Sequence, residues 1–532
     1  MRIFFIKLFL LCLLATRAVA ATLPDTVSEA LKHAHIPLSS VGIVVQETHE
    51  ATPIISLNAE RAMNPASTMK LLTTFAALET LGPAYRWKTE AYLNGKLESG
   101  VLEGDLVFKG YGDPKLTVEQ FWMWLREIRQ RGLREIRGDI VLDHSFFETV
   151  SQDPAEFDHD PTRAYNVGTS ALLLNFNAMH LHLIPNDHAT IALLEPDLAG
   201  YTLLNRITTS TRLHCGGDDA YKAHLEGHNI VLEGMIPSSC GDADDYFSLL
   251  PQDECFFTVF SALWQELGGT LQGKHREGVA PVDQVPFAKY LSPPLSEVIR
   301  DINKFSNNIM ARQLFLTLGT AEPAKDSVIA DAAHISQVTT GQLPADNKDS
   351  RDNFSRAQAL NETSLLADQE GGDTVAAELP LPLLPEPAYV SMPANITRST
   401  AAMQQWLKTQ QLQFPELVLE NGAGLSRKER ISPYHLAEIL QRATLSPFSA
   451  ELEASLPILG MDGTVKKRFK DTDIAGYAHL KTGSLEGVKS IAGYVKARSG
   501  KQWVVVFIVN HANAALAQPA QDALIEWLQK ES

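Results

Sequence analysis

Apolar, β-branched runs stand near both ends of the chain, and this constrains the fold more than any other feature. VGIVVQ at 41–46 and the run at 53–57 read as strands, as do KSIAGYVK at 489–496 and QWVVVFIVN at 502–510. The last two are joined by a Ser-Gly turn signal at 498–501. Helical patterns follow each set, from Pro65 to about Leu81 and over 515–530. Strands this far apart, with helices between them, imply one sheet built from distant parts of the sequence and covered by helices. The expected class is α/β in its α+β form.

What lies between has a different texture. At 532 residues the chain has room for about two to four domains, and 45% hydrophobic with 20% charged residues is the composition of an ordinary folded protein. Over 89–290 the pattern becomes short strand-like runs separated by Gly, Asp and Pro: GDLVFKGYGDP, RGDIVLDHSFF, LLLNFNAMHLHLIP and HNIVLEGMIP. This reads as an inserted, mostly β region of two nested domains, the inner one near 190–250. Over 321–387 the sequence turns polar, acidic and Pro-rich, and is expected to be a flexible insertion that buries too little apolar surface to order itself. The expected division is thus 1–20 as leader, 21–88 with 291–320 and 388–532 as the main domain, and 89–290 and 321–387 as insertions.

The leader reading comes from MRIFFIKLFLLCLLATRAVA, with early basic residues, an apolar run and Ala18-Val19-Ala20 as a cleavage site. It predicts export to the periplasm through a cleaved signal peptide, with a loose association with the membrane left open. The formal net charge of -17 becomes more negative once the leader is removed. So acidic a chain is a poor candidate for nucleic-acid binding through phosphate neutralisation. Of the cysteines, Cys215 and Cys240 flank HNIVLEGMI in turn-rich sequence and are expected to pair, while Cys255 in ECFFTVFSALW reads as a buried helix residue. No C-x-x-C pattern suggests a structural metal. His180 and His182 alternate with Met179, Leu181 and Leu183 and read as the solvent face of a strand.

In NPASTMKLLTTFA at 64–76, Asn64 is a good N-cap and Pro65 suits the first helical position. Ser67 and Lys70 then share one helix face, and a Lys amine held neutral beside a Ser is a candidate activating base. Ser-x-x-Lys alone is more often a solvated first turn, so other segments must decide. FSNNIMARQLF holds Ser306-Asn307-Asn308 between a helix over 295–304 and the next one, where polar side chains can point into a cleft. HLKTGSLEGVKSIAGYV holds Lys481-Thr482-Gly483, read as the end of a strand, followed by Ser484. The glycine lets another chain segment approach closely.

Ser-x-x-Lys, Ser-x-Asn and Lys-Thr-Gly in this order resemble the serine penicillin-recognising enzymes. The long gap between Lys70 and Ser306 is similar to that of the class C low-molecular-mass penicillin-binding proteins, the D-alanyl-D-alanine carboxypeptidase/endopeptidase family of penicillin-binding protein 4 or DacB type (peptidase family S13). GYGDPKLT at 110–117, GDIVLDHSFF at 138–147, YNVGTSALLLNFN at 165–177, ENGAGLSR at 420–427 and LPILGMDGTVKKRF at 456–469 are also similar to that family. The resemblance implies a β-lactamase/transpeptidase-like domain with a central antiparallel sheet flanked by helices, plus the mostly β insertions.

Acyl transfer to water needs a nucleophile, a base, a proton donor for the leaving amine and donors for the oxyanion. Ser67 is the expected nucleophile and Lys70 the base, its pKa depressed by burial and by Lys481. The family implies a proton relay through Ser306, and Asn308 offers an amide to orient Lys70 and hold a peptide carbonyl. Ser67, in a first helical turn, has a free N–H for the oxyanion; the resemblance adds that of Ser484. Lys481, Thr482 and Ser484 are the expected binders of a free D-Ala carboxylate. The implied activity is cleavage of D-Ala-D-Ala stem peptides and of peptidoglycan cross-links through an acyl-serine, with β-lactams as inhibitors and no metal or organic cofactor. A β-lactamase-type hydrolase and an idle wall-binding scaffold are the competing readings, and a homo-oligomer stays open.

Overall fold

QWVVVFIVN is apolar at consecutive positions because the strand it forms, Gln502–Asn510, is covered on both faces. Side chains alternate across a strand. Val504, Val506 and Ile508 therefore enter one core, while Trp503, Val505, Phe507 and Val509 enter another. In this computed structural model, which describes residues 23–148, 153–210, 221–320 and 393–531, that strand is the centre of a five-stranded sheet. The order is Ala478–Leu485, Val488–Lys496, Gln502–Asn510, Val41–Glu47 and Ile55–Leu57, with every neighbour antiparallel. Both ends of the chain contribute, as the sequence implies.

One face of the sheet is closed by helices Asp25–His33 and Gln518–Glu531, through Val27, Leu31, Leu524 and Leu528. On the other face lie Lys70–Leu81, Leu295–Phe305, Asn308–Leu318 and Pro433–Thr444. Leu295, Val298, Ile299 and Ile302 are spaced to make one apolar stripe, which is why the Leu295–Phe305 helix lies on this core with its other side exposed. The Lys70–Leu81 helix is different: Lys70 to Leu78 are all buried, so it runs through the middle of the domain.

Among the described residues, 88–291 carry three further sheets. The largest has seven strands, among them the Lys88–Glu98 and Val101–Gly110 hairpin. Met179–Pro185, Thr190–Glu195 and Ala243–Phe247 form the second, and Thr202–Ser210, Tyr221–Glu226 and Asn229–Pro237 the third. Helix Val118–Gln130, which the strand-like texture hides, begins with a capping box between Thr117 and Gln120. It packs with Gln252–Glu266 on the large sheet through Phe108, Phe121, Trp124, Phe256 and Phe260.

His180 and His182 lie on the solvent face of their strand, and each puts a ring nitrogen 2.8 Å from Asp244. Cys240 is disulfide-bonded, whereas Cys255 is free and buried. The leader, Cys215 and the 321–387 insertion lie outside the described residues.

Two local expectations are corrected. The helix does not start at Pro65: a 3-10 turn, Ala66–Met69, comes first and the α-helix begins at Lys70. Pro65, not Asn64, holds the N-cap position of this turn; Asn64 stands just before it, its Oδ1 accepting the Ala66 N–H at 2.9 Å. Lys-Thr-Gly does not end its strand, which continues through Ser484 to Leu485 because each residue pairs with the Val488–Lys496 strand.

Candidate active site

In a 3-10 turn, side chains three residues apart eclipse one another. The turn at Ala66–Met69 therefore stacks Lys70 on Ser67, with Lys70 Nζ donating to Ser67 Oγ at 3.0 Å. Lys70 is completely buried. Its other acceptors are Asn308 Oδ1 at 2.6 Å and the Ala423 carbonyl. Neither of those oxygens can donate, so a neutral amine gives both its hydrogens to them. Its lone pair is then left for the Ser67 hydroxyl, which is the geometry of a base. Burial pushes the Lys70 ammonium well below its ordinary pKa, Lys481 and Arg312 push it further, and Glu429 opposes them.

Ser306 and Asn308 reach this point because the chain reverses between two helices. Leu295–Phe305 ends at Ser306, which adopts a left-handed conformation with φ 59° and ψ 34°. A serine there costs on the order of 1 kcal/mol, a strain tolerated at functional sites. Asn307 caps the next helix by accepting the Met310 N–H at 3.0 Å, and Asn308 is its first residue.

The third component comes from the edge strand Ala478–Leu485. Lys481 is also fully buried, and burial alone lowers its pKa to about 7. It donates to Ser306 Oγ at 2.8 Å and to the Thr482 carbonyl at 2.7 Å. Thr482 Oγ1 donates to Thr464 at 2.7 Å, and Lys489, opposite Ser484 in the hairpin, donates to Ser484 Oγ at 3.0 Å. Gly483 lets the strand lie against the serine turn: a Cβ there would sit 2.8 Å from both Ser67 N and the Pro65 carbonyl, and 2.3 Å from Ser490 Oγ.

On the opposite side, Gly424 presses on the Ala66 carbonyl with φ +78°, where a Cβ would lie 1.9 Å from that oxygen. The 420–430 loop thereby delivers the Ala423 carbonyl to Lys70.

Ser67, Ser306, Asn308, Thr482 and Ser484 thus open into one cleft of about 690 Å3, with Arg427, Arg468 and Lys489 on its walls. Among the described residues, the His, Cys and carboxylate group close enough to share an ion lies elsewhere, at His224, Glu226 and Glu233, and Arg206 already pairs with both glutamates. The motif reading leaves out four participants: the Ala423 carbonyl, Glu429, Arg312 and Lys489. The glycines of ENGAGLSR, and the register of the two strands joined at 486–487, are the sequence signals that point to them.

A helix-borne Ser-x-x-Lys, a Ser-x-Asn at a helix junction and a Lys-Thr-Gly on the edge of an antiparallel sheet together define the β-lactamase and penicillin-binding-protein class. Within it, the chain belongs to the D-Ala-D-Ala carboxypeptidase 3 (S13) family, whose model matches residues 23–342 and 387–531. It is 23% identical over 476 residues to D-alanyl-D-alanine carboxypeptidase DacB of Haemophilus influenzae, covering 89% of this chain and 85% of the relative. The crystal structure of penicillin binding protein 4 (dacB) from Haemophilus influenzae superposes with a TM-score of 0.67 at 21% identity, covering 94% of this chain and 99% of that one. The same protein complexed with a β-lactam gives 0.64 at 21% identity, over 95% and 99%. The α+β class with a transpeptidase-like sheet is borne out.

Proposed function

We propose that the chain is a serine-type D-Ala-D-Ala carboxypeptidase and DD-endopeptidase that cleaves peptidoglycan stem peptides through an acyl-Ser67 intermediate. One observation carries this reading: a dehydrated Lys70 amine lies 3.0 Å from Ser67 Oγ, and its remaining hydrogens are committed to acceptors. Ser67 Oγ attacks the carbonyl carbon of the penultimate D-Ala while Lys70 takes the hydroxyl proton. The oxyanion is met by the N–H groups of Ser67 and Ser484; losing one such donor typically costs about 3 kcal/mol of barrier.

When the C–N bond breaks, the leaving amine gains a proton through Ser306, whose hydroxyl lies 2.8 Å from Lys481 Nζ. Water then attacks the ester, with Lys70 again taking its proton. Lys481 is buried behind the cleft, so its charge acts on a substrate carboxylate from beneath while the hydroxyls of Thr482 and Ser484 make the contacts. Asn308, its oxygen taken by Lys70, keeps its N–H2 for the peptide carbonyl.

A penicillin is read by the same groups and leaves Ser67 acylated. The family resemblance and the leader support export to the periplasm after cleavage behind Ala20, a compartment in which the disulfide at Cys240 is stable.

Incubation with a defined muropeptide ending in D-Ala-D-Ala, and with a cross-linked dimer, should release D-alanine from the first and two monomers from the second. Labelled penicillin should give a persistent adduct on the Ser67 peptide. Rapid turnover of the adduct would establish a β-lactamase, and no reaction with any of the three would establish a scaffold; either result overturns the proposal.

A further inference from the structure

Glu429 is a fully buried carboxyl group in the loop behind Lys70. Its Oε1 accepts the N–H groups of Glu420 at 3.1 Å, Asn421 at 2.9 Å and Gly422 at 2.8 Å. Three backbone donors converging on one oxygen form an anion nest, and they fix the turn that precedes Ala423. The next carbonyl, that of Ala423, accepts from Lys70 Nζ. The other oxygen, Oε2, is buried and has no hydrogen-bond partner among the described residues. A buried carboxylate left half-satisfied costs stability, and the fold gains nothing obvious from it.

Lys70 feels charges from three elements: Lys481 on the edge strand, Arg312 on the Asn308–Leu318 helix, and Glu429 in the loop. Arg312 is held in place by Tyr165 and Asn308, whose carbonyls its guanidinium meets. Two of these three groups are cations, and they act with burial to strip Lys70 of its proton. Glu429 is the carboxylate that opposes them.

We propose that Glu429 is a positioning and charge-setting residue: it braces the 420–422 turn so that the Ala423 carbonyl orients Lys70, and its negative charge sets how readily Lys70 holds the proton taken from Ser67. A base that discards its proton too readily cannot take one from a hydroxyl. Two buried cations alone would leave Lys70 in that condition. Burial leaves the Glu429 pKa raised, and its three N–H donors and Lys70 offset only part of that rise, so the charge on one group depends on the charge on the other. The role depends on Lys70 acting as the base for Ser67.

The test is the second-order rate of labelled-penicillin acylation as a function of pH, on the full chain and on Glu429→Gln, with circular dichroism to confirm the fold. Glutamine keeps an oxygen for the three N–H groups and removes the charge. Without that charge Lys70 loses its proton more easily, so the acid limb of the profile should move to lower pH by about 1 unit or more, the shift an opposite charge nearby typically produces. Glu429→Asn should show the same shift and serves if the Gln chain does not fold. Glu429→Asp keeps the charge and should keep the wild-type limb even if the rate falls.

An unmoved limb in a folded amide variant overturns the charge-setting role. So does an equal shift in the Asp and amide variants, which would trace the effect to loop geometry. If neither amide chain folds although Glu429→Asp does, the carboxylate is a requirement of the fold and the role is again overturned. Failure of the acyl-serine reading is separately visible, as undiminished labelling of Ser67→Ala.

Discussion

Two regions of this molecule treat their lysines in opposite ways: one sets half-buried lysines against buried carboxylates, the other buries lysines fully with neutral groups as their direct partners. In the seven-stranded sheet Lys88 meets Glu90 at 2.9 Å, and Lys109 meets the fully buried Asp143 at 3.2 Å. Glu90 also accepts from the hydroxyls of Tyr92 and Tyr111, and Asp143 from the N–H groups of Ser145 and Ala280. Burial raises both carboxyl groups, yet these hydrogen bonds and the lysines hold them below the usual carboxylate range.

In the cleft, Lys70 and Lys481 are buried more completely and receive hydroxyls, an amide and carbonyls as direct partners. The first arrangement keeps charge for structure. The second makes a proton easy to move, at a cost in stability that is characteristic of functional sites.

The contrast breaks most visibly at Ser67. Ser67→Ala should reduce acylation and peptide cleavage by at least about 10^4-fold, as loss of a catalytic serine does elsewhere, with the melting temperature unchanged. Lys70→Met should cost about 10^3-fold in acylation and change stability little, because removing a dehydrated amine offsets the loss of its bonds to Asn308 and Ala423. A large fall in melting temperature would mean that Lys70 is structural, like the lysines of the other sheet.

Gly483→Ala should slow acylation by about 10^2-fold, since a displacement near 1 Å at a reacting centre has that effect. A kinetic assay on folded protein reads this directly, and a wild-type rate would show that the strand does not need its close approach to Ser67. Lys109→Met is the mirror experiment: it should lower stability by about 2 kcal/mol by depriving Asp143 of its cation, measured by chemical denaturation, and leave acylation untouched.

The finest distinction is in pH dependence. Asp143 and Glu90 have depressed pKa values when folded, so their stabilisation is present above the unfolded value near about 4 and is lost as pH falls through the folded one. Lys481 has a folded pKa of about 7, well below its unfolded value, so above neutrality the unfolded chain binds more protons. Its contribution to stability therefore rises with pH up to the unfolded lysine pKa of about 10.4. Denaturation curves between neutral pH and that value should show this rise in wild type and a smaller one in Lys481→Met, where buried Lys70 still contributes.

The parts of this design that the sequence displays are those written in side chains. The central sheet is visible because strands covered on both faces become continuous apolar runs, as in QWVVVFIVN. Ser67, Lys70, Ser306, Asn308 and Lys481 are visible because each acts through a distinctive group at a motif position; hydrogen bonds join Ser67, Lys70 and Asn308 in one set and Lys481 with Ser306 in another, both at the same cleft.

Backbone contributions are hidden. Nothing in the identity of Ala423 announces that its carbonyl meets Lys70; only the flanking Gly422 and Gly424, both with positive φ, mark the close approach. Glu429 looks like one more surface acid in SRKER until three N–H groups enclose it. Lys489 requires the strand register, which follows from the hairpin geometry rather than from any motif.

The central claim is that Lys70 faces Ser67 as a neutral amine. Its most direct test is the pH profile of β-lactam acylation of the wild-type chain. If the claim is right, the second-order rate constant rises on the acid side and levels off well below the ordinary lysine pKa. A rate that keeps increasing tenfold per pH unit through neutrality toward pH 10 would show that Lys70 holds its proton like a solvated lysine, and would contradict it.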